Sequence, residues 1–232
     1  MPVITFANTK GGAGKTTAVL LVASELVRAG YRVTVLDADP QHWMSRWFEA
    51  SGDCEGRLSV VPYATMGTID RQVSEYRGRC DYLLIDLPGS RSPLLAKAVG
   101  YADHVLIPVQ GSAMDAQGGA HVIELLQYLD EKANIRIPHS VVLTRVNSMV
   151  TTRALIAVKE LLARRRVHVL DTPIIERSAY RDIFGCGGTL YTMDPRKVSN
   201  LDKAQENARL LGEEILRLVP VRRERELTRT AA

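Results

Sequence analysis

Nine consecutive residues, Thr9-Lys10-Gly11-Gly12-Ala13-Gly14-Lys15-Thr16-Thr17, combine small residues, lysines and hydroxyls in a spacing suited to holding phosphate. Gly11, Gly12, Ala13 and Gly14 leave the backbone free to turn tightly and aim N–H groups at phosphate oxygens. A helix starting at Thr16 adds its positive end. Lys15 is placed to reach the β and γ phosphates of a nucleoside triphosphate, and the Thr16 hydroxyl to ligate Mg2+, with Thr17 beside it. The ordinary phosphate-loop spacing GxxxxGK[ST] fails by one position, because Thr9 stands five residues before Gly14; the fit is to KGGxGKT[ST]. Lys10 is therefore one cation more than the loop needs.

Two further stretches carry carboxylates. Asp37-Ala38-Asp39-Pro40-Gln41 follows an apolar run, and carboxylates one residue apart at a strand end point to the same side. Asp39 is the candidate for orienting the attacking water, and Asp37 for contact with a magnesium-bound water. Leu83-Leu84-Ile85-Asp86-Leu87-Pro88-Gly89 is an apolar strand delivering one carboxylate, Asp86, to the hydration shell of the metal. Trp43 and Trp47, at i and i+4, share a helix face and are expected in the core.

These groups need a scaffold that brings strand ends together. Val3 to Asn8, Arg32 to Asp37, Asp81 to Asp86, His104 to Val109 and His139 to Thr144 are short apolar runs, as expected of strands buried on both faces. Helical spacing covers Thr16 to Ala29, Pro93 to Tyr101, Met114 to Lys132, Thr151 to Arg165 and Asn200 to Leu218. The alternation predicts an α/β fold, a parallel twisted sheet with helices on both faces, and ligands in such sheets sit beyond the carboxyl ends of the strands. Gly185 to Gly188 reads as a mobile turn. We expect one domain over residues 1–219 and a charged, flexible tail over 220–232.

At 232 residues, 46% hydrophobic and 24% charged, the composition is that of a soluble globular protein. No run of about 18 apolar residues and no signal-peptide pattern occurs, so a cytoplasmic protein is expected. Cys54, Cys80 and Cys186 lack metal or disulfide spacing. The five histidines, likewise, have no metal spacing. The net charge of +4 is modest, but between Arg145 and Arg181 eight basic residues face three acidic ones. Such a segment suits an anionic partner or a solvated helix face.

Taken together, "KGGAGKTT", "DADPQ" and "LLIDLPG" resemble the three signatures of the ParA/MinD family of deviant Walker A ATPases, and the likeness continues through about residue 218. The resemblance implies a P-loop NTPase fold, ATP and Mg2+ as cofactors, slow partner-stimulated hydrolysis, and an ATP-sandwiched homodimer in which Lys10 contacts the neighbour's nucleotide. It also places adenine contacts near Asn147 and Pro173. The tail lacks the apolar stripe of membrane-targeted members, so no membrane partner is expected. The chain opens on its first strand, without a preceding helix-turn-helix, and resembles the short, ParF-like partition and cargo-positioning subgroup. That subgroup implies nonspecific DNA binding in the ATP state, association with the nucleoid, and a small partner protein of ParB/ParG type or a cargo adaptor. Arg164, Arg165, Arg166, Arg177 and Arg181 are the DNA-contact candidates. Plasmid or chromosome partition stands first, with carboxysome positioning beside it. The alternatives are a VirC-type accessory ATPase of conjugative DNA transfer and a metabolic ATP-dependent ligase or amidase of the same fold.

Overall fold

In the computed structural model, residues 1–51, 56–111 and 113–221 are described, with the backbone alone at 113–115. Cys54 and tail residues 222–232 lie outside them. Six parallel strands, β1 (Val3–Phe6), β2 (Val33–Asp37), β3 (Leu58–Val61), β4 (Tyr82–Asp86), β5 (His104–Gln110) and β6 (His139–Thr144), form one sheet in the order β3-β2-β4-β1-β5-β6. Parallel neighbours need crossovers, and these are supplied by α1 (Lys15–Arg28), α2 (Trp43–Ser51), α3 (Ile69–Tyr76), α4 (Pro93–Tyr101) and α5 (Ala113–Ala133). The chain continues through α6 (Arg153–Arg164), α7 (Ser178–Cys186) and α8 (Leu201–Leu218).

Alternate residues of the strands feed two cores. Ile4, Phe6, Val33, Val35, Tyr82 and Leu84 face α1, α2, α7 and α8; Val3, Leu36, Leu83, Ile85, Val105 and Ile107 face α3 to α6. The central helix α1 is buried on most of its circumference because α8 covers it. At their crossing Gly212 leaves no room for a side chain: a Cβ there would lie 2.5 Å from Glu25 Cβ.

Beyond the five expected strands the fold adds β3, a four-residue edge strand with only Leu58 buried. It adds α3 and α7 as well, two short helices of eight and nine residues. β3 and α3, of four and eight residues, are too short for periodicity to stand out. The Gly187-Gly188 turn is anchored rather than free. The Gly188 carbonyl accepts from Trp47 Nε1 at 2.9 Å, and Gly188 N–H donates to Ser51 Oγ at 2.7 Å. A Cβ on Gly187, which has φ +70°, would lie 2.8 Å from the Ala50 carbonyl oxygen.

The register sets the site. Asp37 pairs with Asp86 across β2 and β4, and Asp86 with Phe6 across β4 and β1, so both carboxylates and the start of the glycine loop share one edge. The strand order reverses around β4 and β1, which opens the cleft at this edge.

Candidate nucleotide site

The glycine loop joins β1 to α1 and curls over the carboxyl edge. Gly14 caps α1 at φ +88°, and Gly12 has φ +75°, conformations that L side chains adopt only with strain. Gly89, at the end of the "LLIDLPG" stretch, stacks directly on the loop; a Cβ there would sit 2.6 Å from Gly11 Cα. Thr144 Oγ1 donates to the Ala13 carbonyl at 2.9 Å, and Gln110 Nε2 donates to the Gly12 carbonyl. Neither Gln110 nor Thr144 belongs to a motif. Their signal in the sequence is position alone, since each is the last residue of a buried strand at the edge where ligands sit.

A cavity of about 600 Å³ opens against this loop. Gly11, Gly12, Gly14, Lys15, Thr16, Thr17 and Asp39 line it on one side; Arg145, Tyr180, Arg181 and Phe184 close the other. Among the described residues on its wall, Lys15 is one and Lys10 is not. The Lys15 side chain is 5% exposed, and its ammonium donates to the Lys10 carbonyl at 3.1 Å. Burial lowers the Lys15 pKa, against the opposing pull of Asp86 and Asp39.

Asp86 is fully buried, and neither carboxylate oxygen meets a donor in hydrogen-bonding geometry. Burial pushes its pKa up to about 7, and the Asp37 and Asp39 charges push the same way, while the Thr16 hydroxyl and Lys15 pull it down. A buried carboxylate without donors is costly unless a cation completes it, so the donor set of Asp86 and Thr16 fits Mg2+.

The two aspartates of the "DADPQ" stretch part company. Asp39 lines the cavity, but Asp37 is fully buried at the end of β2. Its Oδ2 accepts from Ser45 Oγ at 2.6 Å and Ser45 N–H at 3.0 Å, and its Oδ1 accepts from Asp39 N–H at 3.3 Å. Asp37 therefore shapes the loop that presents Asp39 and adds negative field behind Asp86. The tryptophans separate as well. Trp47 is in the core at 1% exposure, whereas Trp43 opens α2 at the cavity mouth, 45% exposed, with its Nε1 donating to Gln41 Oε1 at 2.7 Å. Trp43 is the first residue of its helix, so no preceding turn covers the ring.

A narrow second cavity of about 60 Å³ continues from the first, sharing Gly14, Thr17, Arg145, Tyr180 and Arg181 and reaching Ile174, Ile175, Glu176 and Arg177. Neither Asn147 nor Pro173 is on the wall of either cavity. Asn147 Oδ1 accepts from Met149 and Val150 N–H, and the Pro173 carbonyl accepts from Asn207 Nδ2 at 2.9 Å. Arg145, held at φ +51° just past β6, stands on both walls instead, with no motif in the sequence to mark it.

The five arginines offered for DNA fall at opposite ends of the sheet. Segment 167–176 runs alongside β6, bridging Val169 to Val141 and Ile175 to Val146. Arg164, Arg165 and Arg166 precede it at the amino edge; Arg177 and Arg181 follow it at the carboxyl edge, against the cavities.

A family model described as VirC1 protein matches residues 1–215. "Protein ParA" of Rhizobium radiobacter is 32% identical over 208 residues, 90% of this chain and 93% of its own. The chain belongs to the ParA/MinD family of deviant Walker A ATPases, among its VirC1 and ParA-like members. The maintenance of carboxysome distribution protein A of Halothiobacillus neapolitanus is 27% identical over 203 residues, 86% of this chain and 91% of that one. Among solved structures, the MinC:MinD cell division protein complex of Aquifex aeolicus matches with a TM-score of 0.73 at 21% identity, covering 96% of this chain and 99% of that chain. The α/β fold expected from the alternation of runs is thus the fold found, and family membership carries P-loop ATPase activity with it. Among the described residues no helix is long and apolar enough to cross a membrane.

Proposed function

We propose that this chain is an ATP-dependent dimerising ATPase that binds DNA without sequence preference and moves or positions cargo, a plasmid or chromosomal segment first. The observation that carries this reading is the division between the two lysines of the loop: Lys15 lines the nucleotide cavity and Lys10 does not. A cation outside its own cavity wall suits a phosphate charge held by a second copy, where two nucleotides facing each other would otherwise repel.

Within one subunit the loop N–H groups and Lys15 bind the β and γ phosphates, and the start of α1 adds its dipole. Thr16 and Asp86 would hold Mg2+, Asp86 through water, and the ion when bound neutralises charge building on the phosphate oxygens. Asp39, fixed through its own N–H by Asp37, orients the attacking water. Arg145 and Arg181 bound the far end of the cavity, where ribose and base would extend, with Asn147 and Pro173 shaping the loops behind them. Hydrolysis is slow until a small partner protein completes the site. Arg164, Arg165 and Arg166 supply DNA contact; Arg177 and Arg181, DNA candidates in the sequence as well, stand against the cavities and serve the nucleotide side in this reading.

Retention on DNA tests the reading: the purified protein should hold duplex DNA with ATP, release it with ADP, and lose retention steeply with salt. Rapid turnover without DNA or partner, or equal retention in the apo, ADP and ATP states, overturns it. The VirC1 match favours a second reading, an accessory ATPase of conjugative transfer. Equal retention of unrelated duplexes supports positioning; retention confined to one sequence supports the transfer role.

A further inference from the structure

We propose that Asn8, seated on the Gly118-Gly119 step of α5, is the positioning residue for Lys10; this rests on the reading that Lys10 acts across a dimer. Asn8 follows β1 and is 1% exposed. Its Nδ2 donates to the Pro108 carbonyl at 2.6 Å, and its Oδ1 accepts from Lys10 N–H at 2.8 Å. The other side of the same residue is held too, since the Lys10 carbonyl accepts from Lys15 Nζ. Thr9 Oγ1 donates to the Gly118 carbonyl at 3.2 Å and lies 3.2 Å from His121 Nδ1, so α5 grips the residue between them.

Glycine is a poor residue for a helix interior, and two in succession need a reason. Here the reason is close approach. A Cβ on Gly118 would strike Asn8 Oδ1 and come within 2.8 Å of Lys10 Cβ and 3.1 Å of Lys10 N; one on Gly119 would lie 2.7 Å from Val109 Cγ2. Gly118 thus forms the seat of the asparagine, and Gly119 lets α5 settle on Val109 of β5.

The loop hangs from two sets of anchors that meet at the Lys10–Lys15 hydrogen bond. Residues 8–10 are fastened to β5 and α5 through Asn8 and Thr9. Residues 12–14 are fastened to the ends of β5 and β6 through Gln110 and Thr144. Loosening the first set should displace Lys10 and leave the phosphate-binding part of the loop in place. Positioning through α5 also ties the reach of Lys10 to whatever shifts that helix.

The test compares Asn8→Ala, Gly118→Ala and Lys10→Ala on the full chain, with a non-hydrolysable ATP analogue. Monomer affinity for nucleotide is read by calorimetry at low protein concentration, dimerisation by sedimentation, and folding by thermal melting. Losing a positioned charge contact across an interface weakens association by about tenfold or more, so Asn8→Ala and Gly118→Ala should weaken dimerisation by at least about tenfold. Nucleotide affinity should move by less than about threefold, and the double variant should lose no more than the worse single one, because both act on one contact. If Lys10→Ala abolishes dimerisation while the other two leave it intact, positioning by Asn8 is wrong and the trans role stands. If Lys10→Ala dimerises normally, the trans role itself fails. Equal losses in nucleotide affinity and dimerisation also overturn the proposal, since Asn8 would then merely hold the whole loop. Should Asn8→Ala fail to fold, Thr9→Val removes the Gly118 and His121 contacts alone and is held to the same two readings.

Discussion

The carboxyl and amino edges of this one sheet treat cations in opposite ways. At the carboxyl edge Lys15 is buried and held to a carbonyl at 3.1 Å, on a loop fastened by side chains from two strand ends. At the amino edge Arg164 is 81% exposed and its nearest carboxylate, Glu160, lies 3.9 Å away; Arg165 stands equally far from Glu124. A site that must hold one triphosphate in one pose gains from fixed donors, because reorganisation at the moment of reaction is what it has to avoid. A surface that meets phosphates in many positions gains from long, solvated side chains, whose surface ion pairs contribute little to stability. The difference is that between a fixed site for one ligand and the solvated cations of an open surface, here at the two edges of one sheet.

Removing a fixed cation should have the largest effect. Lys15→Ala should lower turnover by about a hundredfold or more and weaken triphosphate binding, since no other buried ammonium lines the cavity among the described residues. Single-turnover hydrolysis and nucleotide titration check it, and a loss under tenfold would place Lys15 with the loosely held cations. Next in size is the pH response of Asp86. Its raised pKa of about 7 keeps it protonated below that point, and Mg2+ needs the ionised form. Mg-ATP affinity should therefore fall by up to roughly tenfold per pH unit below about pH 7, beyond any change seen in Asp86→Asn. Stability without metal runs the other way. Between the ordinary carboxylate pKa and about 7 the folded state binds a proton that the unfolded state has released, so stability falls as pH rises through that window. A wild-type affinity profile that tracks the Asp86→Asn profile would remove Asp86 from the metal.

The fold and the phosphate-binding half of the site are legible in the sequence because their signals are local. Glycines at required turns, a lysine and threonine opening a helix, and apolar runs ending in carboxylates all lie within one stretch of chain. The remainder depends on neighbours brought in from afar. The separation of Asp37 from Asp39 is made by Ser45, eight residues on, capturing the first carboxylate. Thr144 and Gln110 reach the loop from positions 131 and 98 residues away. The arginines, close together in sequence, are divided because segment 167–176 bridges to β6 and the residues just past it, which no spacing rule foretells. Gly118 is simply a helix residue until α5 packs against Lys10.

The smallest expected effect tests which edge of the sheet carries the proposed DNA contact. Removing a single phosphate-binding cation should reduce the slope of log affinity against log salt by about 0.9 while weakening binding alike on all sequences. Arg165→Gln and Arg166→Gln, at the amino edge, should each produce that change in ATP-dependent DNA retention and leave ATP affinity alone. Arg181→Gln should do the reverse, because Arg181 lines both cavities and its guanidinium is engaged by Glu176 at 3.1 Å. Measured across a salt series, the two pairs of numbers separate the edges. If the slope falls with Arg181→Gln and stays unchanged with the amino-edge variants, DNA crosses the nucleotide edge instead. Arg181 and Arg177 would then be the surface that senses ATP directly, since the same side chains would touch both polyanions.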